Sequence, residues 1–212
     1  MAIPELLVDG PADAALTVAL AHGAGAPMDT PFMAAFAEGL AERGHRAVRF
    51  EFPYMAERRR SGKRAGPNRA EILLETWRSV IGELGTANLV IGGKSLGGRM
   101  ASMVADEMGV RGLVCLGYPF HPPGRTDKGR VDHLKDLRSP TLILQGTRDS
   151  FGSPEEVAGY DLTPAIRVHW LEDGDHGFKP RKKSGRTERQ NWDEGLETLH
   201  GFLTELTEGE GR

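Results

Sequence analysis

The chain has 212 residues, of which 39% are hydrophobic, and this is enough for one domain with a single buried core. The formal net charge of −3 excludes the basic balance of nucleic-acid-binding domains, and no apolar run approaches the ~18 residues of a membrane helix. The one cysteine, Cys115, excludes a disulfide within the chain. It suits a reducing compartment, and the first residues lack the basic start of a signal peptide. We therefore expect one cytoplasmic domain over residues 1–212 that binds neither nucleic acid nor membrane.

Apolar runs and helical patterns alternate along the chain. Strands are predicted over residues 16–21, 47–52, 89–92, 112–116, 141–145 and 166–171, and helices over residues 31–43, 68–84, 96–108 and 190–206. This alternation predicts an α/β three-layer sandwich, with a mostly parallel sheet of about six strands and helices on both faces. Only residues 117–140 separate the fourth strand from the fifth, which is too short for a cap domain, so an open site is expected.

The first glycine-rich segment follows the first predicted strand. It contains His22, Gly23, Ala24 and Gly25, and its small residues would let the backbone come close to a substrate carbonyl. A backbone amide in such a loop commonly supplies half of an oxyanion hole, and we expect the amide of Ala24 to do so. Gly23 and Gly25 would shape the loop, and His22 would brace it. A plain glycine-rich turn is the alternative.

The second glycine-rich segment, Gly-Lys-Ser-Leu-Gly at positions 93–97, lies between a predicted strand and a predicted helix. In that context the pattern G-x-S-x-G indicates a nucleophile elbow, with Ser95 as nucleophile and the amide of Leu96 as the second oxyanion donor. A tight turn that happens to carry serine is the alternative. A Walker A loop is excluded, because it requires glycine where Asn88 stands. A dinucleotide fingerprint is excluded too, because residues 113–118 contain no carboxylate.

A nucleophilic serine needs a base, and the base needs an orienting acid. Asp149 follows the fifth strand and His176 follows the last, so the order is Ser, Asp, His, as in α/β-hydrolases. A capping aspartate and a solvated loop histidine are the respective alternatives. Asp173 and Asp175 could compete as the acid, but they share a loop with His176, and an acid at a neighbouring strand end can orient the imidazole more easily.

Aromatic and other large side chains follow the second and fourth strands. Tyr54 and Met55 come after the second strand, and Tyr118, Phe120 and His121 come after the fourth. Because these strands are expected to end at the site, we predict that these side chains line the substrate pocket. Packing in the core is the alternative.

Two basic runs, residues 58–64 and 179–186, are expected in loops that border the site. Their charge would suit an anionic substrate or an acidic partner. The alternative is a pair of solvated loops.

These motifs together resemble the α/β-hydrolase superfamily over residues 16–206. A narrower resemblance is to small lid-less proteins related to dienelactone hydrolases and to the testis-expressed and nonspecific-lethal-complex hydrolase-like proteins. It lies in residues 22–25, 52–55, 93–99, 116–124 and 145–149. Dienelactone hydrolases proper carry cysteine at the elbow where this chain has Ser95, so the resemblance does not transfer their substrate.

The residues and the resemblance imply a serine hydrolase of the carboxylesterase type. The expected substrate is a small or accessible acyl ester, and neither a metal nor an organic cofactor is needed. Thioesters and amides stay open, as do the natural substrate and the oligomeric state. The second hypothesis is a non-catalytic scaffold that binds acidic partners through the basic runs, although an intact Ser-Asp-His order favours catalysis.

Overall fold

A computed structural model describes residues 3–209 of the chain. The strands are β1 Leu6–Asp9, β2 Thr17–Ala21, β3 Arg46–Phe50, β4 Leu89–Lys94, β5 Gly112–Leu116, β6 Thr141–Gly146 and β7 Ile166–Leu171. The α-helices are α1 Pro31–Glu42, α2 Pro53–Ser61, α3 Ala70–Leu84, α4 Leu96–Ser102, α5 Ala105–Met108, α6 Pro154–Val157 and α7 Glu188–Glu208. Short 3₁₀ turns cover Asp132–Lys135 and Lys182–Ser184.

The strands form one sheet in the order β1-β3-β2-β4-β5-β6-β7. Strands β2 to β7 pair in parallel, and β1 pairs with β3 in the antiparallel direction at the edge. The carboxyl ends of the parallel strands therefore meet at one edge of the sheet, which is where open α/β sheets place their sites.

Buried apolar clusters cover both faces of the sheet, because successive side chains of a strand point in opposite directions. Ile91 of β4 belongs to the cluster that includes Trp77 of α3. Its neighbour Val90 belongs to the cluster that includes Phe36 of α1 and Leu199 of α7. The α/β fold with helices on both faces is thus confirmed.

Strand β1 brings the sheet to seven strands, one more than expected. Its Val8 lies opposite Val48 of β3, but the strand is short and Val8 is 45% exposed. Its apolar run, Leu6 to Val8, has only three residues and is too short to indicate a strand in the sequence.

The helices differ from expectation at three places, one of which is the short helix α6, a single turn that the sequence pattern did not predict. Residues 58–61 of the first basic run belong to α2 and not to a loop. Only Tyr54 and Met55 of that helix are buried, so it has no apolar stripe that would mark it in the sequence. The predicted helix over residues 96–108 is split into α4 and α5, with Met103 and Val104 between them. In residues 3–209, no helix has the length and apolar character needed to cross a bilayer.

Candidate active site

Ser95 stands on a sharp turn between β4 and α4, with φ of 49° and ψ of −111°. Positive φ is costly for a residue with a side chain and is typically held by its surroundings at functional sites. Here the Ser95 amide donates to the Leu116 carbonyl at 3.1 Å. A Cβ at Gly93 or at Gly97 would lie 2.1 or 2.3 Å from the Ala21 carbonyl oxygen. Glycine at both ends therefore lets the turn pack against β2 and present the serine at the sheet edge.

Asp149 and His176 are brought together from the loops after β6 and β7. The imidazole Nδ1 of His176 lies 2.8 Å from Oδ2 of Asp149. The carboxylate is 2% exposed, and it also accepts from the Phe151 amide at 2.9 Å and from Nε2 of Gln145 at 3.0 Å. Because an ionised carboxylate can only accept, Nδ1 carries the proton in the neutral ring, and Nε2 is then the free base.

Burial lowers the pKa of His176 below its ordinary value, and the positive charge of Lys94 acts in the same direction. The hydrogen bond to Asp149 opposes both effects. The imidazole is therefore neutral at neutral pH, which is the form that a general base requires. Its ring packs against Phe151, with the centroids 4.2 Å apart.

Ser95 and His176 line the same cavity, whose volume is about 450 Å³. The other lining residues come from the loop after β2, from α1, from the end of β4, from the loops after β6 and β7, and from α7. They are Gly23, Ala24, Gly25, Ala26, Pro27, Thr30, Phe32, Met33, Lys94, Phe151, Gly177, Glu188 and Trp192. The cavity thus joins the expected nucleophile and base to the expected oxyanion segment, residues 22–25.

His22 is fully buried and braces the oxyanion segment. The Phe52 amide donates to Nε2 of His22 at 3.1 Å, so Nδ1 carries the proton and donates to the Gly23 carbonyl at 2.7 Å. Burial lowers the pKa of His22, which keeps the ring neutral and this pattern intact.

Two side chains of α2 donate hydrogen bonds to the next two carbonyl oxygens of the segment. The Tyr54 hydroxyl donates to the Ala24 carbonyl at 3.0 Å, and Arg58 donates to the Gly25 carbonyl at 3.2 Å. Burial raises the pKa of Tyr54 to about 12, so its hydroxyl remains a donor. Helix α2 therefore fixes the orientation of the peptide groups that face the cavity.

The side chains expected to line the pocket lie elsewhere. Tyr54, Met55, Tyr118, Phe120 and His121 are each at most 3% exposed, and none of them lines the cavity that holds Ser95. They pack in the core instead, which was the alternative explanation. The chain after β5 turns onto the face of the sheet that carries α3 and α4, and so it leaves the cavity to α1 and α7.

Specific contacts hold the three residues that follow β5 in these positions. The Tyr118 hydroxyl donates to the Arg130 carbonyl at 3.0 Å. Nε2 of His121 lies 3.2 Å from a carboxylate oxygen of Glu156. The Phe120 ring packs so closely that a Cβ at Gly152 would lie 2.5 Å from it.

The residues that replace them, above all Phe32 and Trp192, lie in the first turns of α1 and α7. Both helices follow parallel strands, so their amino-terminal turns begin at the edge where the site lies. The position of each residue relative to the helix start was the available signal in the sequence. Trp192 and Gln145 were missed, although a buried strand of apolar residues that contains one amide is itself a signal for Gln145.

The two competing aspartates stabilise the loop that carries His176. Asp173 pairs with Arg181, which lowers the pKa of the Asp173 carboxyl. The backbone amide of Asp173 donates to the Thr147 hydroxyl at 2.8 Å, so this residue takes no part in orienting the imidazole. Asp175 accepts from the backbone amides of residues 177 and 179 at 2.8 and 3.0 Å. Asp149 is therefore the carboxylate that orients the imidazole.

Several charges of the two basic runs are paired locally with carboxylates. The pairs are Arg59 with Glu51 and Asp29, Arg60 with Glu57, Arg181 with Asp173, and Arg186 with Glu194. These pairs involve four of the ten basic residues in the two runs, and binding of an anionic substrate or an acidic partner stays a prediction.

Cys115 is buried in β5, and burial raises the pKa of its thiol. It therefore behaves as a small apolar side chain. Within the described part of the chain, no three or more His, Cys, Asp or Glu side chains cluster in a way that could hold a metal ion.

The protein-family model of the alpha/beta hydrolase domain matches residues 14–204 of the chain, and the chain belongs to this family. Its fold is similar to that of XC6422 from Xanthomonas campestris, described as an α/β serine hydrolase without a lid, with 21% identity and a TM-score of 0.63 over 96% of this chain and 87% of that one. It is similar to dienelactone hydrolase from Anabaena variabilis, with 19% identity and a TM-score of 0.69 over 94% and 90%. It is also similar to a monoacylglycerol lipase from Paleococcus ferrophilus, with 16% identity and a TM-score of 0.69 over 94% and 99%. At these identities the likeness establishes the fold.

Proposed function

We propose that the chain is a serine hydrolase that cleaves carboxylic esters through an acyl-enzyme. The observation that carries this proposal is the cavity that Ser95 and His176 share, with Ser95 on a positive-φ turn and His176 hydrogen-bonded to Asp149. A serine activated by an imidazole that a buried carboxylate orients is the arrangement required for acyl transfer.

In the proposed reaction, Oγ of Ser95 attacks the ester carbonyl while Nε2 of His176 takes the hydroxyl proton. The amides of Leu96 and Ala24 stabilise the oxyanion of the tetrahedral intermediate. The imidazolium then protonates the leaving alcohol as the ester bond breaks. Water repeats the sequence on the acyl-enzyme, and this frees the acid and Ser95. Asp149 keeps the imidazole in the required tautomer throughout.

The walls of the cavity favour esters that carry one apolar group small enough to fit inside it. Phe32, Met33, Phe151 and Trp192 contribute apolar or aromatic surface around Ser95. The structural neighbours include enzymes named as an esterase domain and as a monoacylglycerol lipase, which agrees with an ester substrate. We also propose a cytoplasmic location, because the free thiol of Cys115 suits a reducing compartment.

Labelling with a fluorophosphonate probe tests the proposal directly. The probe should label wild type and Ser61→Ala, at the last residue of α2, but not Ser95→Ala. His176→Ala should react far more slowly, because the hydroxyl loses its base. Labelling that persists in Ser95→Ala, or no labelling of folded wild type, would contradict the proposal. The second of these results would favour the non-catalytic scaffold.

A further inference from the structure

Lys94 is the last residue of β4 and directly precedes Ser95, yet the mechanism above gives its side chain no role. The side chain crosses to the loop after β7, where its ammonium donates a hydrogen bond to the carbonyl oxygen of His176. The same ammonium lies 5.2 Å from the ring centroid of Phe32 and 5.3 Å from that of Phe178. Lys94 thus links the nucleophile turn to the backbone of the base.

The surrounding backbone is shaped to accept this lysine. Gly117, at φ of 72°, would place a Cβ 2.7 Å from the Lys94 nitrogen. A Cβ at Gly23 would lie 3.3 Å from Cγ of Lys94. Two segments that contact the side chain therefore carry glycine where any larger residue would displace it.

Burial and the nearby carboxylates have opposite effects on the charge of the Lys94 ammonium. Burial lowers the pKa of Lys94 to about 8, although the carboxylates of Asp149 and Asp175 act in the opposite direction. The side chain is therefore largely protonated at neutral pH, and it brings a positive charge to the wall of the cavity. A cation at this position acts on nearby titratable groups.

We propose that Lys94 is a positioning residue for the general base. Its hydrogen bond fixes the backbone of His176, and its charge favours the neutral imidazole that accepts the Ser95 proton. This inference rests on the proposed serine hydrolase function.

The groups that face the imidazole come from four elements. Asp149 from the loop after β6 and Asp175 from the loop after β7 favour the imidazolium, whereas Lys94 from β4 disfavours it. Glu188 of α7 lines the same cavity. Removal of the Lys94 charge leaves burial alone to oppose the carboxylates, so the pKa of His176 should then rise.

Two neutral variants separate the hydrogen bond from the charge. Lys94→Met keeps the apolar stem between Phe32 and Phe178 but can neither donate nor carry charge. Lys94→Gln is also neutral, but its amide can still donate. Lys135→Met, at an exposed lysine in the 3₁₀ turn, is the matched control.

The first readout is the pKa of the His176 imidazole, followed by NMR and assigned by comparison with His176→Ala. Both Lys94 variants should raise it by roughly 0.5 to 1 pH unit, and Lys135→Met should leave it unchanged. The second readout is the rate of fluorophosphonate labelling. Lys94→Met should lower it by about 10- to 100-fold, and Lys94→Gln should recover part of the loss.

An unchanged imidazole pKa in both variants would overturn the inference, even if their thermal stability fell, because packing alone would explain that fall. If Lys94→Met does not fold, the imidazole pKa in Lys94→Gln decides the matter. The two proposals fail in different ways. A wild type that is not labelled removes the proposed function, whereas normal labelling with an unmoved pKa overturns only the role of Lys94.

Discussion

In the proposed mechanism, Gln145 has the least obvious role at the residue scale, because it contacts Asp149, which orients the base. Its Nε2 donates to Asp149, and its Oε1 accepts from the Tyr118 amide at 2.7 Å. Its Nε2 also donates to the carbonyl oxygens of Tyr118 and Gly152, at 3.2 and 3.4 Å, so Gln145→Leu removes four hydrogen bonds within a fully buried strand. We expect kcat to fall by about tenfold, because Asp149 loses a hydrogen-bond donor that holds it in place. KM should change little, because the residues that line the cavity are unchanged. Steady-state kinetics on p-nitrophenyl acetate would measure this change.

The same variant should lose about 1–3 kcal/mol of unfolding free energy, because the Tyr118 amide is left without its acceptor. Gln145→Glu restores the acceptor, but its second carboxylate oxygen would face Oδ2 of Asp149 and the carbonyl oxygens of Tyr118 and Gly152. Like charges this close in a buried site destabilise the fold, so this variant should be no more stable and no more active than Gln145→Leu. Full activity in either variant would contradict a role of Gln145 in orienting Asp149.

The pH profile follows from the surroundings of His176. Burial and Lys94 hold its pKa below the ordinary value of 6.5. The imidazolium cannot accept the Ser95 proton, so activity is lost as pH falls through that lowered pKa and is fully present above 6.5. A plot of log kcat/KM against pH should therefore bend below pH 6.5. A bend above that value would show that the surroundings stabilise the imidazolium instead.

Several of these residues could be predicted from the sequence because their positions depend on local order alone. Ser95, Asp149 and His176 each follow a predicted strand, and parallel strands bring such positions to one edge of the sheet. Gln145 and Lys94 lie inside strands, and their roles depend on which side chains face them from other elements. Such contacts are set by packing, and the spacing of residues does not determine them.

At the scale of elements, the close approach of β2 and α4 constrains the elbow. A Cβ at Gly97 would lie 2.3 Å from the Ala21 carbonyl oxygen, and backbone cannot move aside easily. Gly97→Ala should therefore destabilise the fold by about 1–3 kcal/mol and reduce activity sharply. Gly82→Ala is the matched control, since a Cβ there meets nothing within 4 Å in α3. That change should stabilise the protein by roughly 0.5–1 kcal/mol. Chemical denaturation would measure both.

Helix α2 is the element whose role the sequence pattern concealed most fully. It has no apolar stripe, and its Tyr54 contacts the oxyanion segment and not a substrate. Tyr54→Phe keeps the ring in the core and removes the donor to the Ala24 carbonyl. We expect kcat to fall several-fold to about tenfold while the fold and KM are largely retained, because the oxyanion donors lose alignment. Tyr160→Phe, which removes the hydroxyl of a tyrosine whose ring stacks on Phe120, serves as the control.

At the scale of the whole molecule, the cavity is built where two helices begin above the sheet edge. Phe32 of α1 and Trp192 of α7 meet with ring centroids 5.6 Å apart at 86°. The fold class and the strand ends were predictable, because they follow from alternating strands and helices. The cavity walls were not, because the course of the chain after β5 depends on tertiary packing. This chain placed Tyr118 and Phe120 in the core and left the walls to α1 and α7.

That architecture predicts how substrate preference should change with the size of one side chain. Trp192→Ala removes the indole from the cavity wall, together with the hydrogen bond that its Nε1 donates to the Gly177 carbonyl at 3.3 Å. The cavity is widened, so the acyl-chain length that gives the highest kcat/KM should increase, and short esters should lose apolar contact. Activity on a series of p-nitrophenyl esters from acetate to decanoate would show the shift, with labelling of Ser95 as a check that the site is intact. If the preferred length is unchanged while labelling remains normal, the apolar group of the substrate does not bind against α7.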